Sequence, residues 1–236
     1  MQAIWKRELQ SYFYTPVGYV FIGVFLLVSS ILFFLSILRQ HSGDLPTFIG
    51  QMSYLWMLLS PVLTMRLLAE EKQKRTDQLL LTSPVSLAGI VGGKYLAAVT
   101  VLLATAGLTL VYAAVVGIYG RVYPAELAVN YLGFILQGCA FTAMDLYLSG
   151  CAGTPVTAAV LGFGANFLLW MVDLARDQVS ISWLNRVIRF ISLYNRNEAF
   201  LMGQMSWAGL VYEISFVILF LAMTVYHLEN RRVSGS

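Results

Sequence analysis

The chain has 236 residues, of which 58% are hydrophobic and 11% charged, with a formal net charge of +3. A soluble domain carries roughly 25% charged residues, so this composition excludes an ordinary water-soluble fold, and the small, dispersed positive charge excludes a nucleic-acid-binding protein. The two cysteines, Cys139 and Cys151, lie in apolar surroundings without a CxxC spacing, which points to neither a metal site nor a disulfide framework.

The first element is a short amphipathic segment, residues 1–16. Ile4, Trp5, Leu9, Tyr12 and Phe13 recur at helical spacing opposite Lys6, Arg7 and Gln10, the pattern of a helix lying in a membrane interface. Pro16 then bends the chain into an apolar run over 17–38. Its 22 residues exceed the ~7–15-residue core of a signal peptide and no small-x-small cleavage site follows, so it reads as a retained span. A helix rises about 1.5 Å per residue, so a ~30 Å hydrocarbon core needs roughly 20 apolar residues. Five further stretches qualify, 48–68, 95–118, 127–149, 156–174 and 208–228. Backbone groups in lipid must be satisfied internally, which makes each stretch a helix. The expected fold class is all-α integral membrane, with 1–236 forming a single transmembrane domain of six spans.

Two connecting segments have a character of their own. Residues 69–84 are highly charged up to Gln78, then Leu79, Leu80 and Leu81 run into Ser83-Pro84. This predicts a short helix followed by a stop, with Thr82 or Ser83 capping the next helix. Residues 175–207 are too long for a simple connector, and Ile181, Leu184, Val187, Ile188 and Ile191 form a stripe away from Arg186 and Arg189. Short helices resting in or dipping into a membrane leaflet are expected there, with Trp183 and Trp207 at interfacial depth. An even number of spans puts both termini on one side. That side carries Lys6, Arg7, Arg66, Lys72, Lys74, Arg75, Lys94, Arg231 and Arg232 and is expected to be cytoplasmic, although Arg176, Arg186, Arg189 and Arg196 on the other side make the bias moderate.

The inventory for chemistry is thin. His41 and His227 have no second ligand at metal spacing. Tyr147-Leu148-Ser149-Gly150 with His227 departs from an intramembrane serine protease at Tyr147. Gly89 to Lys94 is one residue short of a phosphate loop, and Tyr95 replaces its hydroxyl residue. No catalytic residue and no metal set is expected, and ATP, if used, must be bound by another chain. Ionisable groups inside spans are functional candidates by default, which singles out Asp145. Three roles are open for it: an inner ion pair with Lys94 or Arg66, a gate or coupling role, and a proton relay. Glu213 is a weaker case, Asn166 reads as a hydrogen-bonding residue between helices ahead of a ligand site, and Gly162 and Gly164 suit close helix packing.

Three runs then carry a resemblance: Leu63-Thr64-Met65-Arg66-Leu67-Leu68-Ala69-Glu70-Glu71, Thr76-Asp77-Gln78-Leu79-Leu80-Leu81-Thr82-Ser83-Pro84-Val85, and Gly93-Lys94-Tyr95-Leu96-Ala97. With Lys6-Arg7-Glu8-Leu9, Tyr12-Phe13, Thr15-Pro16-Val17-Gly18-Tyr19 and the ending Leu228-Glu229-Asn230-Arg231-Arg232, they resemble the permease subunits of type-2 ABC exporters, in particular the gliding-motility-type subfamily. The resemblance implies that residues 1–16 are a connecting helix, using Trp5, Lys6, Arg7, Leu9 and Phe13. It implies that 69–84 is a coupling helix docking on an ATPase through Glu70, Glu71, Arg75, Thr76, Asp77, Leu79, Leu80 and Leu81. Residues 175–207 become an outer gate with Trp183, Arg186, Arg189 and Arg196.

The implied partners are two ABC ATPase subunits, which hold the ATP and magnesium, a second permease, identical or homologous, an extracytoplasmic accessory subunit and membrane lipid. The resemblance also implies that the chain itself holds no cofactor and that it sits in a prokaryotic cytoplasmic membrane. It departs from the family at Arg75, where relatives usually have glycine, which predicts a straighter or differently docked helix. It departs also at Met144-Asp145-Leu146-Tyr147, at Gly150-Cys151-Ala152-Gly153-Thr154-Pro155, and at Asn195-Arg196, where His-Phe is expected. The alternatives are a membrane scaffold of a gliding or secretion machine and an ion-coupled secondary carrier using Asp145.

Overall fold

The computed structural model describes residues 1–40, 43–76, 86–119, 121–175 and 192–234, and every regular element among them is a helix. Helix α1 (Gln2–Tyr14) ends where Thr15 turns extended, and Pro16 takes the first position of α2 (Pro16–Phe33), where its missing N–H costs nothing. Helix α2 runs on as a π-helical turn, Phe34–Leu38. The Asp44 carboxylate caps α3 (Leu45–Gln73), accepting from the Thr47 N–H at 3.2 Å. Helices α4 (Leu87–Tyr119), α5 (Pro124–Cys151) and α6 (Pro155–Ala175) follow. The short α7 (Leu193–Leu201), capped by Ser192, precedes α8 (Trp207–Ser234).

Among the described residues six helices are long and apolar enough to cross a membrane, namely α2 with its π-helical turn, α3, α4, α5, α6 and α8. The all-α, six-span class expected from the sequence is the class observed. The apolar windows of α3 and α5 are 67% and 61% buried, whereas those of α6 and α8 are only 17% buried, so α3 and α5 form the interior and the others wrap it. At their contact the fully buried Trp56 meets Phe21, Phe25 and Phe134 edge-on at 5.5, 5.9 and 6.5 Å.

Three features of the connections stand out among the described residues. First, Ala69–Gln73 does not open a separate helix; these residues are the last turn of α3, with Lys74 as its C-cap. Arg75 then adopts φ 55°, its N–H bonding Lys72 O at 3.1 Å while the Thr76 N–H bonds Glu71 O at 2.9 Å. This is a Schellman stop, in which a left-handed residue turns two N–H groups back onto the helix's last carbonyls. Arg75 thus takes a left-handed conformation that ordinarily favours glycine, and α3 does not run straight on through it. Asp77, Leu79, Leu80 and Leu81, with Thr82 and Ser83, lie outside the described residues.

Second, α4 begins at Leu87, eight residues before the apolar run at Tyr95, because its first turns pack on α1. A Cβ on Gly93 would lie 3.0 Å from Ile4 Cγ2, so the glycines here make room for a helix rather than break one. Third, α7 packs one face against α5. Leu193, Asn197 and Phe200 are buried, Asn197 Nδ2 donates to Gln137 Oε1 of α5 at 2.5 Å, and a Cβ on Gly133 would meet Asn197 and Phe200 at 2.5 Å. Trp183, Arg186 and Arg189 lie outside the described residues.

Candidate functional site

Two of the polar sites within the apolar packing gather charged residues singled out in the sequence. The first joins α1 to the charged end of α3 and the start of α4. Lys94 is buried, with 1% side-chain exposure. Nζ donates to Leu67 O at 2.5 Å and to Glu8 Oε1 at 3.2 Å, and it forms an ion pair with Glu71 Oε1 at 2.8 Å. Arg7 closes the group from its exposed side, with Nη2 2.9 Å from Glu8 and 3.2 Å from Glu71. Its hydrogen bond to Glu8 holds the guanidinium above its ordinary pKa. Two cations thus face two carboxylates, which is the balance a buried ionic group requires.

Two hydrogen bonds extend the clasp: Trp5 Nε1 donates to Thr100 Oγ1 of α4 at 3.0 Å, and the Tyr12 hydroxyl donates to Leu63 O of α3 at 2.8 Å. Of the residues singled out in the sequence, this site gathers Trp5, Arg7, Glu71 and Lys94. Lys6 is exposed, and Leu9 and Phe13 are half-buried. Thr76 sits in the helix stop, with Oγ1 donating to Glu71 O at 3.3 Å. Glu70 belongs to a separate, more exposed pair system, bonded at 2.7 Å to both Arg66 and Lys74 along the same helix. Glu8 was not among the predicted site residues. Its signal was present, since residues 5, 8 and 12 share a helix face and a carboxylate on an apolar stripe calls for a buried cation.

The second site lies between α3, α5 and α6. Asp145 pairs with neither Lys94 nor Arg66, because Glu8 and Glu71 hold the first and Glu70 holds the second. Its Oδ2 accepts instead from Ser60 Oγ at 2.6 Å and from Asn166 Nδ2 at 3.2 Å. The geometry follows from Pro61, inside α3. A proline has no N–H for the carbonyl four residues back, which leaves the carbonyl of Met57 to side-chain donors, and Ser60 Oγ lies 3.4 Å from it. Asn166 Nδ2 donates to that carbonyl at 2.9 Å, so one amide group repairs the helix break and holds Asp145. Gly162 allows the approach, since a Cβ there would lie 2.7 Å from Pro61 Cβ and 3.1 Å from Asp145 Oδ1.

Ser149, one turn on from Asp145, is committed to α3, its hydroxyl accepting from the Leu68 and Ala69 N–H groups at 3.3 and 3.2 Å. Arg196, on α7, lies over the Tyr212 ring at 5.4 Å, a cation–π contact with α8.

A family model described as ABC-2 family transporter protein matches residues 18–195, more than half of the chain. A comparison with curated proteins finds no match. The family supplies the membrane permease subunit of ABC transporters, a transport subunit that associates with an ABC ATPase and dimerises. With its six apolar helices and this match, the chain belongs to the ABC-2 transporter family as a multi-span membrane permease.

Proposed function

We propose that this permease is the transmembrane half of an ATP-driven exporter, coupled to a separate ATPase through the face built by α1, the end of α3 and the start of α4. The observation that carries this reading is the Lys94 clasp. It ties the amphipathic N-terminal helix to the charged end of the second span, so a push on the segment beyond Arg75 is delivered to three helices as one body. Under this reading Glu71 is an internal strut, and the docking surface is formed by Glu70, Arg75, Thr76 and the residues that follow, including Asp77 and Leu79 to Leu81. The connecting-helix role belongs to Trp5 and Arg7, with Lys6 facing the headgroups.

The same reading places the single transmembrane domain in a prokaryotic cytoplasmic membrane with both termini inside, as the clustering of basic residues on the clasp side supports. Two ATPases, carrying the ATP and magnesium, and a second permease complete the unit, and an extracytoplasmic subunit is compatible with it. Arg196, Trp183, Arg186 and Arg189 form the far gate. The quoted motifs support the gliding-motility-type branch of the family. The test is co-reconstitution with the cognate ATPase in vesicles. Hydrolysis should rise above that of the ATPase alone, the chain by itself should hydrolyse nothing, and an ATPase indifferent to the permease would refute the proposal.

A further inference from the structure

The contacts of Asp145 leave an imbalance that the permease reading does not use. Its side chain is buried at 2% exposure, and Asn166 is buried at 1%. The groups facing it are Ser60 and Pro61 from α3 and Gly162 and Asn166 from α6, none of them charged or titratable. An ionised carboxylate inside a span calls for a cation, and the two basic residues of the nearest helix ends are paired elsewhere.

The hydrogen-bond count sharpens this. Asp145 Oδ2 has two donors, whereas Asp145 Oδ1 and Asn166 Oδ1 are both buried without any. The Asn166 amide has already committed its N–H groups to Met57 O and Asp145 Oδ2. Two acceptors therefore belong to two groups already in contact, and both lack the same thing, a hydrogen. A carboxylic acid has one O–H donor that a carboxylate lacks.

We propose that Asp145 is an intramembrane proton-binding site, carried as the neutral acid, whose Oδ1–H donates to Asn166 Oδ1 in an acid–amide pair that latches α5 to α6 across the Pro61 break of α3. The proton comes from the aqueous phase and forms the Oδ1–H bond; no other bond changes. Separating α6 from α5 removes the Asn166 partner, admits water and releases the proton, so the conformational cycle carries a protonation step. This goes beyond the exporter reading, which stands or falls independently of it.

The test is infrared spectroscopy of the purified full chain in lipid nanodiscs at neutral pH, together with its thermal unfolding. The wild type should show a carboxylic-acid C=O stretch that is lost in Asp145→Asn and shifted in Asn166→Ala. Glu213, whose buried carboxyl oxygens also lack partners, is controlled with Glu213→Gln. Asp145→Asn should keep the wild-type unfolding midpoint, because an amide offers the same donor to Asn166 Oδ1 and the same acceptor to Ser60. An acid band unchanged by Asp145→Asn would overturn the proposal. So would a collapse of that variant's fold, which would mean that the packing requires an ionised carboxylate.

Discussion

Replacing Lys94 by methionine keeps the length and most of the apolar stem of the side chain while deleting the ammonium that three acceptors share. Removing one partner of a buried ionic group typically costs about 3–5 kcal/mol, because the remaining charge stays buried. Here Glu8 and Glu71 retain 13% and 18% side-chain exposure and Arg7 still bonds both, which places the expected loss at the lower end, about 3 kcal/mol. Glu71→Gln removes one of the stranded carboxylates, so the double variant should be less destabilised than the sum of the singles by about 1–2 kcal/mol, the coupling of residues in one network. Unfolding by sodium dodecyl sulfate in mixed micelles, followed by tryptophan fluorescence, measures both quantities. The reasoning is refuted if Lys94→Met falls within about 0.5 kcal/mol of wild type, the range of an ordinary surface change, or if the two substitutions simply add.

The same unfolding assay checks three further expectations. Arg75→Gly should stabilise the chain by about 1 kcal/mol, since a left-handed residue with a Cβ costs about 1–2 kcal/mol that glycine does not incur, while Arg75→Val should destabilise it. Asn166→Ala leaves the Met57 carbonyl with only the long Ser60 Oγ contact of 3.4 Å and should cost about 1–3 kcal/mol. Adding Pro61→Ala supplies the missing backbone N–H and should recover much of that loss, whereas equal effects of Asn166→Ala in both backgrounds would contradict the proposed repair. Gly162→Ala drives a methyl to 2.7 Å from Pro61 and should cost about 1–3 kcal/mol through overpacking, and a neutral result would show that α6 does not approach α3 so closely.

The spans were legible because an unbroken apolar run near 20 residues has few alternative folds. Less legible was where α3 ends. The expected cap at Thr82 or Ser83 already allowed a helix through Gly89, Gly92 and Gly93, and α4 runs through them with α1 packed against that surface. The change from apolar to charged at Ala69 resembles a boundary, but charge does not break a helix, and α3 continues until its last carbonyls are satisfied by the stop at Arg75. Arg75 also shows the limit of inferring conformation from residue type, since the cap hydrogen bonds favour the left-handed geometry despite the Cβ.

For the sites, charge alone suggested Lys94 or Arg66 as the partner of Asp145. Helix rotation decides instead, turning Lys94 toward α1 and Asp145 toward Ser60 and Asn166, which lie 85 and 21 residues away in sequence. Nothing in the local pattern carries those pairings. The clue that was available is Pro61, because a proline inside a span strands a carbonyl that some neighbouring polar residue must meet.

Charge reversal across the clasp tests the coupling account most directly. With the cognate ATPase in vesicles, Glu71→Lys and Lys94→Glu should each abolish most of the permease-dependent stimulation of ATP hydrolysis, and the double variant, which restores an opposite pair between α3 and α4, should regain it. Stimulation that survives either single reversal, or that stays lost in a folded, assembled double variant, would contradict the claim that this ionic clasp carries force from the ATPase into the membrane helices.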